Sequence, residues 1–122
     1  AATVQPGDQG TTFGGGMLAM AAVAATLDAL TEDGLMPRAV RLFDTIHDAL
    51  TSLDGVVEVR GRGALIGVEL DRPAAPVRDA LREASILVGT SGHAHSLRLM
   101  PPLTTPFEAV GMLADALYSV LK

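Results

Sequence analysis

The stretch VVEVRGRGALIGVEL, Val56 to Leu70, decides the fold class of this 122-residue chain. Apolar and polar residues alternate before and after Gly61-Arg62-Gly63, and such alternation is typical of half-buried β-strands. Two alternating runs on either side of a glycine-dependent turn predict an antiparallel hairpin. The hairpin therefore supplies the first two strands of a sheet.

Helices are predicted on both sides of this hairpin. Strong helix formers occupy residues 17–31, and an amphipathic pattern covers residues 37–53. After the hairpin come a short helix over residues 76–84, two short strands in ILVGT and SLRLM, and a last helix over residues 105–122. This order predicts an α+β fold, a two-layer α/β sandwich whose small, mainly antiparallel sheet is covered by helices.

The last helix carries a pattern that is typical of a capped N-terminus. Thr105 stands at the predicted N-cap, Pro106 at the first helical position and Glu108 three residues after the cap. These residues predict a capping box with its preferred proline. At the other end of the chain, Gly34 in TEDGL is predicted to close the helix over residues 17–31.

The composition excludes several classes of partner. Nine basic and fourteen acidic residues give a net charge of −5, whereas nucleic acids and anionic membranes select for basic surfaces. The chain has no cysteine, which excludes disulfides and thiolate metal sites and is consistent with a reducing compartment. We expect a cytoplasmic protein with no nucleic-acid partner and no membrane partner.

The stretch GTTFGGGMLAMAA, residues 10–22, offers two interpretations. Free N–H groups at a helix N-terminus favour anions, so the threonines and glycines could form a phosphate cradle. The same residues could equally form a flexible turn before a buried helix. The stretch matches neither G-x-G-x-x-G nor a P-loop, and the residues alone leave both interpretations open.

Arg98 in SLRLMPPL is the second candidate binding residue. Leu97 and Leu99 are predicted to face the core, so Arg98 must face the other way. A guanidinium held there could bind a carboxylate bidentately, or it could be a solvated arginine on an open sheet face.

The remaining candidates carry less information. Arg60 and Arg62 flank hairpin glycines and are expected to be exposed turn residues. His93 and His95 form H-x-H in a loop, and two histidines do not make a metal site without further ligands. Lys122, the one lysine, is the last residue and is poorly placed to be a Schiff-base catalyst.

Three segments, taken in order, match one family. PGDQGTTFGGGMLAMAA, VVEVRGRGALIGVEL and LRLMPPLT resemble the C-terminal third of class III (ornithine-type) pyridoxal-phosphate-dependent aminotransferases, nearest the acetylornithine group. The resemblance implies a homodimer with active sites shared across the interface. It also implies that residues 1–31 end the large domain, whose lysine binds the cofactor, and that residues 32–122 form the small domain of a fold-type I enzyme.

The resemblance also implies roles for single residues. Thr12 matches the threonine that binds the phosphate of pyridoxal 5'-phosphate held by the partner subunit, and Thr11 is the residue next to it. Arg98 matches the arginine that grips the substrate α-carboxylate. Gly61 and Gly63 match a structural R-G-x-G turn. No catalytic residue and no metal site are expected in this chain.

Two departures from the family pattern concern the cradle. The family usually has His where Gln9 stands, and Asn-Pro where Gly16-Met17 stand. The chain here loses a polar cap and a fixed first helical residue, so a looser cradle is expected.

The activity that the resemblance implies is transfer of an amino group from acetylornithine, or a similar ω-amine, to 2-oxoglutarate. An aminomutase of the same family, of the glutamate-1-semialdehyde type, is one alternative. A free-standing α+β binding or assembly module without catalysis is the other.

Overall fold

A computed structural model of the chain describes residues 3, 5, 7 and 8 and all of residues 10–122. The chain divides into two compact units, Ala1–Gly34 and Leu35–Lys122. The assignment of residues 1–31 to the end of a larger domain stays a prediction. Gln9, where the cradle departs from the family pattern, lies outside the described residues.

The described part of the first unit contains one helix, α1 (Met17–Glu32), as the run of alanine, leucine and methionine predicts. The helix ends at Asp33, whose N–H donates to the Ala29 carbonyl, and Gly34 follows with φ of +65°. The predicted glycine stop is therefore confirmed. No residue of α1 is buried in the described structure, although most residues of the helix are apolar.

The second unit combines three helices with a four-stranded sheet. The order along the chain is α2 (Leu35–Leu50), β1 (Val56–Arg62), β2 (Leu65–Leu70), α3 (Ala74–Glu83), β3 (Gly89–Thr90), β4 (Ser96–Leu99) and α4 (Glu108–Leu121). The strands lie in the order β1-β2-β4-β3, and every neighbouring pair is antiparallel. The predicted α+β two-layer sandwich is confirmed.

The core lies between the three helices and one face of the sheet. Apolar side chains recur at helical spacing in the helices and at every second position in the strands, which buries one face of each element. The largest fully buried side chains are those of Leu42, Leu50, Ile66, Val68, Leu70, Leu81, Leu97 and Leu117. The opposite face of the sheet carries the polar residues of the same strands. None of the helices in the described ranges is long and apolar enough to cross a membrane.

A β-bulge in β1 changes the predicted alternation. Val56 pairs with Leu70 and Glu58 with Glu69, so Val57 has no partner opposite it on β2. The extra residue turns Val57 outward, where 65% of it is exposed, while Val59 is buried against Val68. Alternation alone would place Val57 and Val59 on one face, and this expectation is wrong because the bulge shifts the period by one residue.

The hairpin turn lies slightly later than predicted. Gly61 and Arg62 both belong to β1, and the connection consists of Gly63 and Ala64. Gly61 has φ of +155°, and a Cβ there would run into the Leu65 carbonyl oxygen. The same Cβ would lie 2.9 Å from the Ile66 Cα, so only glycine fits this close approach of the two strands.

The predicted capping box does not form. α4 begins at Glu108, with Phe107 at the N-cap in an α-helical conformation and no side-chain hydrogen bond to the cap. The N–H groups of Ala109 and Val110 donate instead to carbonyls three residues earlier, each at 3.1 Å. α4 thus begins with a tight turn of backbone bonds that join residues three apart, and not with the predicted bond to the Thr105 side chain.

Candidate functional site

Arg98 lies in β4 on the open face of the sheet, the face that the helices leave uncovered. Leu97 and Leu99 are 1% and 5% exposed and point into the core, while Arg98 between them is exposed. The orientation predicted from alternation is therefore correct. Whether Arg98 can bind a carboxylate depends on the residues around its guanidinium.

Glycines flank Arg98 on both neighbouring strands. Arg98 pairs with Gly67 of β2 on one side and with Gly89 of β3 on the other. A Cβ on Gly89 would lie 3.4 Å from both Nε and Nη2 of Arg98, so the guanidinium lies over this glycine. The two positions beside Arg98 therefore carry no side chain that could cover it.

The same register adds a second arginine to the row. Arg60 of β1 pairs with Gly67, so Arg60, Gly67, Arg98 and Gly89 lie side by side across all four strands. We call this set the arginine row. Neighbouring strands are roughly 5 Å apart, which places the Cα atoms of Arg60 and Arg98 roughly 10 Å from each other.

The row next to it is acidic at one end only. Glu58 of β1 pairs with Glu69 of β2, and Glu69 pairs with Ser96 of β4. We call Glu58, Glu69 and Ser96 the acidic row. Arg60 therefore has carboxylates beside it, whereas Arg98 has the Ser96 hydroxyl in its own strand.

Arg60 uses both carboxylates of the acidic row. Its Nη1 donates to Glu58 Oε2 at 2.9 Å, and its Nη2 donates to Glu69 Oε2 at 3.0 Å. Nη2 also reaches the Oγ of Ser96, which is 2% exposed, at 3.5 Å. The hydrogen bonds to Glu69 and then Glu58 raise the pKa of the Arg60 guanidinium above its ordinary value. The positive charge of Arg60 is therefore balanced by the carboxylates of Glu69 and Glu58 within the sheet.

Arg98 has neither a hydrogen bond nor an ion pair from its side chain to any residue that the structure describes. It lines a groove of about 490 Å³ on the open face, and no acidic residue lines this groove. The lining is Arg60, Gly61, Arg62, Leu65, Ile66, Gly67, Ser91, Ser96, Leu97 and Arg98. A free guanidinium in such a groove is suited to an anionic group such as a carboxylate.

His93 takes part in this arrangement, which the sequence alone does not predict. The His93 side chain is exposed, and its Nδ1 lies 2.9 Å from Glu69 Oε1. His95 is half-buried, with its ring centroid 6.2 Å from that of His93. Three side chains able to hold a metal ion do not come together anywhere in the described ranges.

Thr11 and Thr12 lie in the loop before α1, and both are exposed. Gly15 has φ of +80°, and a Cβ on Gly14 would collide with the Thr11 side chain. Gly16 is the N-cap of α1, and no side chain caps the helix there. A phosphate accepts hydrogen bonds from hydroxyls and from uncapped N–H groups, and compact glycines leave room for it. These residues therefore fit a cofactor phosphate.

Lys122 is not placed to form a Schiff base. It follows the last residue of α4, is exposed, and holds its Nζ 4.2 Å from the centroid of the Tyr118 ring. A catalytic lysine needs a fixed position beside the cofactor, whereas Lys122 is exposed and lies against a surface tyrosine.

The chain belongs to the class III aminotransferase family. The model of the family described as "Aminotransferase class-III" matches residues 1–121. Among curated relatives, the chain is 39% identical over 121 residues to acetylornithine aminotransferase 1 of Bordetella bronchiseptica, covering 96% of this chain and 30% of the relative. It is also 39% identical over 118 residues to ornithine aminotransferase of Exiguobacterium sp., covering 95% and 29%.

A solved structure of an aminotransferase is also similar to this chain. The acetylornithine aminotransferase of Elizabethkingia anophelis superposes with a TM-score of 0.77 at 27% identity, over 97% of this chain and 31% of that one. The chain therefore spans about 30% of the length of the curated relatives it matches.

Proposed function

We propose that this chain is the C-terminal part of a pyridoxal-phosphate-dependent aminotransferase that moves an amino group from acetylornithine, or a similar ω-amine, to 2-oxoglutarate. The observation that carries the proposal is the free Arg98 guanidinium, which lies between two glycines in a groove without acidic residues. Membership of the class III family supports the reaction class. Relatives named acetylornithine and ornithine aminotransferase support the choice of an ω-amine donor.

Arg98 holds and orients the substrate in this proposal. A guanidinium can donate two parallel N–H hydrogen bonds to a carboxylate, which fixes the position and the direction of the carboxylate together. Because Gly67 and Gly89 carry no side chains, the carboxylate can approach Arg98 directly. Holding the substrate in one orientation contributes to the rate because the reacting groups are aligned before the reaction begins.

The threonine loop anchors the cofactor in this proposal. Thr12 and Thr11 donate their hydroxyls to the phosphate, and the first N–H groups of α1 add their dipoles. The bound cofactor supplies the electron sink for the amino-group transfer. The Schiff-base lysine belongs to the large domain, and the whole protein is a cytoplasmic homodimer.

The reaction is tested by assaying the complete protein with pyridoxal phosphate and 2-oxoglutarate and measuring the glutamate formed. We expect acetylornithine to give the highest kcat/KM, followed by ornithine. Conversion of glutamate-1-semialdehyde without any acceptor, together with no glutamate from either ω-amine, would support the aminomutase instead. No activity in either assay would support the non-catalytic module.

Sharing of sites across the dimer is tested by mixing two impaired variants, Thr12→Val and Arg98→Gln. In a mixed dimer, one site combines the intact Arg98 of its own chain with the intact Thr12 of the partner subunit. Random exchange then restores about a quarter of the unmodified activity, since half of the dimers are mixed and each has one intact site. No restoration after exchange would contradict a Thr12 that serves the other subunit.

A further inference from the structure

The two arginines of the arginine row lie in the same groove, yet only one of them is free. Arg60 and Arg98 both line the groove, and Gly67 lies between them on β2. The side chain of Arg60 lies close to this glycine, because a Cβ on Gly67 would be 3.7 Å from Arg60 Cγ and 3.8 Å from Nε. Arg60 thus extends along the floor of the groove toward β4.

Glu69 is the group that occupies Arg60. The side chain of Glu69 is only 16% exposed, whereas that of Glu58 is 58% exposed, so the contact with Glu69 is the less screened of the two. Oε2 of Glu69 accepts from Arg60, and Oε1 contacts His93 at 2.9 Å. Both oxygens of Glu69 are therefore used, and the carboxylate is held beside Arg60 from two directions.

We propose that Glu69 is a specificity-determining residue: by pairing with Arg60, it leaves Arg98 as the one guanidinium of the arginine row that a ligand carboxylate can bind. This inference rests on the proposed function of Arg98. Without Glu69, Arg60 keeps only its contact with the more exposed Glu58, so the arginine row offers two guanidiniums whose Cα atoms are roughly 10 Å apart. Two long side chains at that separation can bind the two ends of one small dicarboxylate.

The proposal is tested with glutarate and pentanoate, two acids of five carbons that carry two carboxylates and one carboxylate. Equilibrium binding of each acid to the complete holoenzyme is measured by calorimetry, and the ratio of the two affinities is compared between variants. We expect Glu69→Gln to raise the glutarate-to-pentanoate ratio about tenfold, because a charged hydrogen bond to Arg60 becomes available.

Two further variants assign the effect to Arg60. Adding Arg60→Gln to Glu69→Gln should return the ratio to that of the unmodified protein. Arg60→Gln alone should leave the ratio unchanged, since this arginine is already paired. Glu58→Gln is the matched control, and it should raise the ratio less because Glu69 remains in place.

Three results would overturn the proposal. The first is an unchanged ratio in a folded Glu69→Gln protein. The second is a raised ratio that persists in the double variant, which would mean that another group binds the second carboxylate. The third is a ratio that falls in Arg60→Gln alone, which does not require Glu69→Gln to fold. Because binding is measured directly, these results are independent of whether the enzyme transfers an amino group from acetylornithine.

Discussion

The open face of the sheet has two halves, and each contains an arginine beside a glycine. On β1 and β2, Arg60 lies over Gly67 and is held by Glu58 and Glu69. On β4 and β3, Arg98 lies over Gly89 and has no ionic partner among the residues described. The backbone arrangement is similar in both halves. The difference is a pair of carboxylates: Glu58 of β1 and Glu69 of β2 bind Arg60, whereas the next residue across the acidic row is Ser96 of β4. The acidic row therefore determines which arginine is paired and stabilises the fold, and which arginine remains free to bind a ligand.

The largest effect is expected when the free arginine is removed. Arg98→Gln should lower kcat/KM for 2-oxoglutarate at least about 100-fold, because the substrate carboxylate loses its charged partner. The melting temperature should stay close to that of the unmodified protein, since the side chain is exposed and unpaired. Steady-state kinetics and thermal unfolding measure the two quantities.

Two variants serve as controls for this loss. Arg98→Lys keeps the charge but not the fork of two donors, so it should recover only part of the lost kcat/KM. Arg82→Gln removes an exposed arginine of α3 and should leave kcat/KM unchanged. Full recovery of kcat/KM in Arg98→Lys would show that only the charge is needed. An equal loss of kcat/KM in Arg98→Gln and Arg82→Gln would show that Arg98 has no special role.

An intermediate effect is expected when a side chain is added to the glycine beside the free arginine. Gly89→Val should raise KM about tenfold, because its methyl groups displace the Arg98 guanidinium from its position. The matched variant is Gly67→Val, for which the nearest atoms belong to Ser96 and Arg60 and not to Arg98. Gly67→Val should therefore change KM less, because its Cβ would meet these atoms at 3.6 to 3.8 Å, which is ordinary van der Waals contact. The opposite order of KM values would contradict the comparison.

A smaller effect, on stability, is expected when the paired arginine is removed. Arg60→Ala leaves Glu58 and the largely covered Glu69 side by side without their shared cation. We expect the melting temperature to fall by a few degrees, with thermal unfolding as the measurement. Arg62→Ala, in the same strand, should not have this effect. An unchanged melting temperature in Arg60→Ala would mean that its ion pairs contribute nothing to the fold.

The smallest effect is expected at His93. Its contact with Glu69 joins two surface residues, one of which is 66% exposed, and such pairs contribute little. His93→Gln should therefore change the free energy of unfolding by no more than about 0.5 kcal/mol, as chemical denaturation would measure. A clearly larger loss would mean that the loop carrying His93 is an essential support of Glu69.

Much of this fold follows from local patterns in the sequence. Alternation around Gly61 predicts the hairpin, and alternation in SLRLM places Leu97 inside and Arg98 outside, as the structure has them. The bulge at Val57 does not follow from alternation, because one extra residue in a strand leaves no mark on composition. The capping box is wrong because the tight turn at Phe107 uses backbone carbonyls instead of Thr105.

The site is harder to predict from the sequence than the fold, because strand register brings its residues together. Arg60 and Arg98 are 38 positions apart, and their common row depends on the order β1-β2-β4-β3. The pairing of Glu58 with Glu69 depends on the two-residue turn at Gly63 and Ala64, whereas a turn at residues 61–63 would have placed Glu58 opposite Ile66. The roles of Thr12 and Thr11 stay predictions, since they concern a phosphate group and a partner subunit.

A crystal structure of the complete protein with glutarate bound tests most directly that Arg98, and not Arg60, binds the ligand carboxylate. We expect a glutarate carboxylate about 3 Å from the Arg98 guanidinium nitrogens, with Arg60 still bound to Glu58 and Glu69. A carboxylate on Arg60, with Glu69 displaced and Arg98 free, would contradict it.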